Sequence, residues 1–366
     1  MSLNNKSRRI FIATPFENYL SERGTRHPKL ADYLNSKGEK IIYLTTDFSH
    51  AYKHHFNSDQ IRSEIAGRAY MVKFLRIFGY SKNVSINRVI SNFLVSVKLF
   101  FYLLCELRKE DVVLFPSRPV EWMAACIWAA KLKKAETVMD IRDVWPDALP
   151  IRNKAKKLIF TLYCNFWLYL SLPLVDRCAH VAPNFLNWLN RYSSKKTSVF
   201  IPLGFDDERW RDVSHKKSKG ASNGDSFRLI FVGLQQLQLD VMPLLVALRN
   251  RPRVTLSLVG DSGTGEGYQR IMEYIKRYNL SNVTVIGRTA PDKVVTLFRD
   301  HDIAVIPMIT DSIPNKVFDA IASYTPLLVL GNNDSSKFVE ERGIGWGVPF
   351  DPLLIGDFLD NLTKDV

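Results

Sequence analysis

The feature that most limits what this chain can fold into is a series of short, largely apolar runs of strand length, separated by segments long enough for a helix. In the second half they are RLIFVG (228–233), VTLSLVG (254–260), VTVIG (283–287), IAVIP (303–307) and LLVLG (327–331). Strand-length apolar runs joined by connections long enough for a helix predict a parallel sheet. Helices are predicted over roughly 240–249, 266–279, 291–299 and 314–323. The first half opens in the same way. RRIFIAT (8–14) leads through a polar loop into a helix over 27–37, with Leu30, Ala31 and Leu34 on one face and Gly38 placed to end it, and then into KIIYLTT (40–46). VVLF (112–115), a helix over 120–131 and TVMDIRD (137–143) continue the pattern, whereas residues 50–88, rich in basic and aromatic side chains, show no clear element.

These runs predict an α/β protein of two facing Rossmann-like domains with parallel sheets and an interdomain cleft. A length of 366 residues favours two cores over one. The pattern restarts after PLGFDDERW (202–210) and a polar, Gly/Ser/Lys-rich stretch (215–226), so the expected domains are 1–202 and 203–366. Such a cleft could hold an activated donor on one side and an acceptor on the other.

Charge divides unevenly between the halves. Residues 1–200 carry 31 Lys and Arg against 16 Asp and Glu, while residues 201–366 carry 19 against 21. A basic first half suits an anionic membrane, a phosphorylated acceptor or nucleic acid. Nucleic acid is the least expected of these, because no nucleic-acid module accompanies the charge. Cys105, Cys126, Cys164 and Cys178 form no CxxC pair and read as reduced thiols of a cytoplasmic protein rather than a disulfide or zinc framework. The opening MSLNNKSRR is not expected to be a secretory signal, since the apolar segment after it is short.

Two longer apolar stretches allow three readings: core helices, helices resting in a membrane surface, or membrane spans. Residues 89–107 include Asn92, Lys98 and Glu106, costly across a bilayer, and residues 158–175 include Asn165 and Pro173. Lys154, Lys156 and Lys157 precede the second stretch and could meet anionic head groups.

Candidate chemistry gathers at predicted strand ends, where open α/β sheets bind ligands. In ITDSIPNKVFDAIASYTPLLVLG (309–331), Ser312 is expected to cap a helix and Pro314 to occupy its first turn. The amides of Asn315 and Lys316 would then face an anion, and the Lys316 ammonium could neutralise diphosphate charge. Asp319 lies further along that helix and Asp311 lies before it. Gly233 and Gly260 permit close approach of a ligand, and Arg288 could bridge phosphates. GDSGTGEG (260–267) has the wrong spacing for a dinucleotide loop and reads as a surface turn. In the first half, Asp143 could orient or deprotonate an acceptor hydroxyl, with Asp140, Arg142 and Asp147 as competitors and His27 and Arg118 as further acceptor-binding candidates. Helix capping and salt bridging are alternative roles for each of them.

In order and combination, RRIFIATP, TRHPKLADYLNSKGEKIIYLTTDFSH, DIRDVWPDALP, VDRCAHVAPNF, IPLGFDDERW, FVG, SLVG, VTVIGR and IPNKVFDAIASYTPLLVLG resemble the GT-B nucleotide-sugar glycosyltransferases, particularly the family 4 group that makes bacterial surface polysaccharides. The resemblance covers nearly the whole chain. It implies donor binding mainly in the second domain, metal-independent transfer without a cofactor, and an acceptor that is often membrane-associated. It places a lipid-linked saccharide acceptor, as in lipopolysaccharide or exopolysaccharide synthesis, on the first domain, peripheral to the inner face of the cell membrane. The family's acidic pair, E-x7-E, falls on Asp311 and Asp319, with Asp319 expected at the donor ribose and Asp311 near the transferred sugar. The family's basic residues after the first donor-domain glycine are absent, since FVGLQQLQLDV has Leu234 and Asp240 there, which shifts weight to Arg288 and Lys316. The family holds retaining and inverting enzymes, so the resemblance leaves the stereochemistry open. A non-catalytic nucleotide-sugar or membrane-binding adaptor is the alternative.

Overall fold

The computed structural model of the chain describes residues 8–20, 25–83, 85–149, 151, 153–193, 197–205, 226–233, 239–260, 266–287 and 289–362. The chain divides into two compact units, one of residues 1–181 and 185–201, the other of residues 182–184 and 202–366.

The first unit runs β1 (Arg9–Ala13), α1 (Arg26–Ser36), β2 (Lys40–Thr46), β3 (Phe48–Ser49), β4 (His54–His55), α2 (Ser58–Ala66), β5 (Met71–Leu75) and α3 (Ile86–Glu106). It continues with β6 (Val112–Pro116), α4 (Val120–Lys133), β7 (Glu136–Ile141), α5 (Lys154–Ser171), β8 (Arg177–His180), α6 (Phe185–Tyr192) and β9 (Ser198–Phe200). Seven strands form a sheet in the order β5-β2-β1-β6-β7-β8-β9, every neighbouring pair parallel, while β3 and β4 make a separate antiparallel hairpin. The central strands are buried on both faces, as their unbroken apolar runs require: Phe11, Ile12, Ala13, Tyr43, Leu44, Val113, Phe115, Met139 and Ile141 are fully enclosed. Helix α4 is mostly apolar and is buried from Val120 through Ile127, with α3 and α5 both packed against it. The Trp122 indole donates to the Ala13 carbonyl at 3.0 Å, which pins α4 to the end of β1 and pairs the buried indole N–H.

The second unit runs β10 (Phe227–Val232), α7 (Met242–Ala247), β11 (Val254–Val259), α8 (Glu266–Arg277), β12 (Val283–Ile286), α9 (Pro291–Arg299), β13 (Ile303–Pro307), α10 (Asn315–Ala322), β14 (Leu327–Leu330), α11 (Asp334–Glu341), β15 (Gly345–Val348) and α12 (Pro352–Asp360). Its six strands are all parallel in the order β12-β11-β10-β13-β14-β15. Both sheets share the doubly wound order in which the chain builds outward on one side of the first strand and then crosses to the other. The order reverses between β1 and β6 in the first unit and between β10 and β13 in the second, and ligands of such sheets bind beyond the carboxyl ends at those points.

Candidate functional site

In the second unit, the loops leaving β10 and β13 flank the switch point. Gly233 follows β10 directly, and a Cβ placed on it would lie 2.3 Å from Lys316 Cε and 2.7 Å from its Nζ. The lysine side chain therefore lies across the glycine, from the first turn of α10 to the end of β10. Gly260, at the end of β11, completes this close approach, since a Cβ there would sit 2.0 Å from the Gly233 carbonyl oxygen. The fold thus brings Gly233, Asn315 and Lys316 to one sheet edge. The N-terminus of α10 adds partial positive charge beside the ammonium. Asp319 follows one turn later on α10, half-buried.

The helix entrance differs from its expected chemistry. Pro314, not Ser312, takes the N-cap position, and no side chain caps α10. The loop is braced instead from the next helix. Asn333 caps α11 by accepting from the amides of Ser335 and Ser336, while its Nδ2 donates to the Met308 carbonyl at 2.7 Å. The Ser335 hydroxyl donates to the Ser312 carbonyl at 2.5 Å. Asn333 is buried, and with Ser335 it holds the loop at Met308 and Ser312, a brace that sequence pattern alone did not single out. Asp311 is exposed and accepts from Asn184 Nδ2 at 2.9 Å, and the Asn184 amide donates to Asp334 at 2.8 Å. Asp240 acts locally, where its carboxylate accepts from the Met242 amide at 2.9 Å at the start of α7. Arg288 and Leu234 lie outside the described residues.

In the first unit the charged groups gather beyond β1, β6 and β7. His27, buried at the start of α1, places Nδ1 2.7 Å from Glu17 Oε2, and Glu17 also accepts from the His27 amide at 3.1 Å. His27 Nε2 lies 3.2 Å from Asp140 Oδ2, close enough for charge attraction but out of line for a hydrogen bond. Arg26 Nε donates to the same Asp140 oxygen at 3.1 Å, and Arg142 pairs with the other oxygen of Glu17. Burial by itself would push the Asp140 carboxyl up, but His27 and Arg26 beside it outweigh that and hold it below the usual carboxylate range. Burial lowers Arg142, with Asp143 acting in the opposite direction.

Asp143 pairs with Arg118, and its carbonyl accepts from the Ser117 hydroxyl at 2.8 Å. The acceptor-side candidates therefore fall into two groups, His27 with Arg142 joined through Glu17, and Arg118 with Asp143. Asp147 is occupied elsewhere, paired with Arg191. Glu17 and Arg26 are the members that sequence reasoning missed. Their signal was available only as a charged loop after a buried strand. Among the described residues, no group of three or more His, Cys, Asp or Glu side chains is arranged to hold a metal ion.

Comparison with known proteins agrees with this architecture. Residues 228–361 match the model of the family described as Glycosyl transferases group 1. No curated protein matches the sequence. Among solved structures, the chain is similar to sucrose-phosphate synthase from Thermosynechococcus elongatus, at 14% identity and a TM-score of 0.70, over 96% of this chain and 89% of that one. Anabaena HepE in complex with UDP-glucose is similar at 14% identity and a TM-score of 0.65, over 97% and 90%. The lipopolysaccharide outer core galactosyltransferase WaaB is similar at 13% identity and a TM-score of 0.63, over 97% and 89%. The chain has the GT-B fold of nucleotide-sugar glycosyltransferases.

Proposed function

We propose that the chain moves a sugar from a nucleoside-diphosphate donor, held by the second unit, to a saccharide acceptor held by the first. The observation that carries this reading is Lys316, laid across Gly233 at the switch point of a sheet whose sequence matches the group 1 glycosyl transferases. An ammonium and the positive end of a helix dipole at one sheet edge suit a diphosphate. In transfer they would stabilise the charge that builds on the leaving diphosphate as the bond from its oxygen to the anomeric carbon breaks. Asp319 is assigned to the donor ribose, Asp311 to the neighbourhood of the transferred sugar and Arg288 to the phosphates. Asp143, released from Arg118, would take the acceptor proton if configuration inverts. His27, Arg118 and Arg142 would position the acceptor.

The acceptor is proposed to be lipid-linked, as in bacterial surface polysaccharide synthesis, and the protein to rest on the inner face of the cell membrane. This rests on exposed apolar side chains along two helices of the first unit. Helix α3 buries Arg88, Ser91, Asn92 and Ser96 together with Val95, Leu99 and Leu103, while exposing Ile86, Ile90, Phe93, Leu94, Val97 and Phe101. Helix α5 exposes Leu158, Ile159, Leu162, Phe166, Tyr169 and Leu170, directly after exposed Lys154, Lys156 and Lys157. Of the described helices, α3 alone is long and apolar enough to cross a membrane, yet it packs on α4 and buries Arg88, Ser91, Asn92 and Ser96 against the unit, which favours lying on the surface. WaaB, whose described role is in the lipopolysaccharide outer core, supports the same class of acceptor.

The test is calorimetry against UDP-, GDP- and dTDP-linked sugars, followed by product analysis with membrane-derived lipid-linked saccharides. Selective binding of one donor with turnover is expected. Binding without turnover on any acceptor would favour a non-catalytic adaptor, and no binding to any donor would end the proposal.

A further inference from the structure

Cations of the first unit collect around His50. His50 and Lys53 lie in the turn between β3 and β4, Arg88 in the first turn of α3 and Arg118 just after β6. Tyr80, in the loop after β5, joins them. Its hydroxyl lies 2.5 Å from His50 Nδ1, and the Lys53 ammonium and Arg88 guanidinium lie 5.1 and 5.6 Å from its ring centre. Burial, followed by the charges of Arg88, Lys53 and Arg118, pushes His50 down to about 3, so the ring is neutral at pH 7. Lys53 Nζ lies 3.4 Å from His50 Nδ1, and an ammonium only donates, so Nδ1 bears the lone pair and the ring proton sits on Nε2. That Nε2 has no partner among the described residues, and it is not enclosed.

The charges here do not balance. Arg118 pairs with Asp143, but among the described residues no carboxylate pairs with Lys53 or with Arg88, although Arg88 is only 5% exposed. Burial lowers Arg88 below its ordinary value, against the more distant charges of Glu121 and Asp143, and burial and Arg88 together bring Lys53 down to about 8. A buried cation without a counter-ion is costly, and an anion that arrives beside it supplies one. His50, Lys53 and Arg118 are half-buried and able to touch such an anion, whereas Arg88 contributes charge from within. Two cations without a carboxylate, together with a neutral N–H donor, match a phosphate or diphosphate better than a single carboxylate. The surroundings say where that group would come from. Arg88 lies between exposed Ile86 and Ile90 of α3, and its guanidinium is 4.9 Å from the ring centre of Trp145, which packs on Phe160 of α5. The cluster is thus tied to the starts of both helices proposed to rest on the membrane.

We infer that His50, Lys53 and Arg118, backed by the charge of Arg88, form an anion subsite for the phosphate or diphosphate that joins the acceptor saccharide to its lipid. This rests on the reading of the first unit as the holder of a lipid-linked acceptor, and adds the group by which that acceptor is recognised.

The test is calorimetry at pH 7 with farnesyl diphosphate, farnesoic acid and farnesol, which share a chain and differ in charge. The full chain carrying Lys316→Ala is the background, so that diphosphate binding by the second unit does not contribute. Farnesyl diphosphate is expected to bind about 10-fold or more tightly than the other two, and Lys53→Ala to weaken it about 10-fold, for one lost charge-assisted contact. Lys53→Arg should keep most of the affinity. Equal binding of the three probes, or unchanged affinity in Lys53→Ala, would overturn the inference. So would an equally large loss for Lys53→Ala on phosphatidylglycerol vesicles, which would assign the cluster to bilayer head groups. In transfer assays with the native Lys316, Lys53→Ala should raise the KM for a lipid-linked acceptor about 10-fold and leave donor affinity unchanged. A parent chain that transfers sugar while Lys53→Ala leaves that KM unaltered sinks the subsite alone. A parent chain that transfers to no lipid-linked acceptor ends the reading on which the subsite rests.

Discussion

Lys316 can be tested separately from the helix that carries it, because its ammonium lies across a glycine at the neighbouring strand end and its backbone stays in α10. Lys316→Ala is expected to weaken donor binding about 10- to 100-fold in calorimetry, the range for losing one charge-assisted hydrogen bond, with thermal stability little changed. Unaltered affinity would remove Lys316 from the diphosphate site. Asp140 makes a different prediction. Its carboxyl is held below the ordinary value in the folded state, so its contribution to stability is complete above about pH 4 and fades as pH falls through the lower folded value. Asp140→Asn leaves His27 and Arg26 facing a neutral amide and should cost about 3 kcal/mol in urea unfolding at neutral pH, with the difference from the parent shrinking in acid. A constant difference down to pH 3 would contradict that assignment. Lys316, Asn315 and Gly233 were legible in the sequence because a strand, a loop and a helix entrance are local features. Glu17 was not, since what gives it a role is contact with His27, ten residues on, and with Arg142, reached only when β1 and β7 share a sheet edge.

Elements were readable in proportion to how completely they are buried. The strand runs of the second unit stood out because β13 and β14 are buried at every position and β10 and β11 at most of theirs, with Arg228, Thr255 and Ser257 the polar exceptions. β15 was missed because its sequence, GWGV, uses glycines where a Cβ would strike the Leu327 backbone or the Glu340 side chain, and glycine ordinarily signals a turn. In the 50–88 stretch, α2 buries no residue and β5 is an edge strand with alternating exposure, so neither leaves a strong periodic signal. α11 was also missed, being short and polar at its start, although it carries Asn333, the brace of the loop before α10. Asn333→Ala removes the α11 cap and the bond to the Met308 carbonyl together. It is expected to cost about 2 kcal/mol or more in chemical unfolding, at the upper end for lost caps, and also to weaken donor binding severalfold. A stability loss with unchanged donor affinity would show that the loop it braces does not shape the site.

At the scale of the whole molecule, the net charge of +13 is not a general property of the surface, because the Lys and Arg excess lies within residues 1–200. Two forces would then act on the same unit: long-range attraction of its basic charge to anionic lipid, and burial of the exposed faces of α3 and α5 once contact is made. They respond differently to conditions, which allows them to be separated. Attraction between exposed charges is screened beyond a Debye length of about 10 Å at 0.1 M salt, whereas apolar burial is not weakened by salt. Vesicle sedimentation should therefore increase steeply with the fraction of anionic lipid and fall, but not to zero, as salt is raised. Replacing Lys154, Lys156 and Lys157 together by Ala should lower partitioning onto anionic vesicles by roughly 100-fold, from about 1 kcal/mol for each lysine near the surface. The same triple variant should behave like the parent on neutral vesicles, where only α3 and α5 contribute. If it loses binding equally on both, the lysines act by holding α5 in place, and the charge asymmetry of the chain has another purpose.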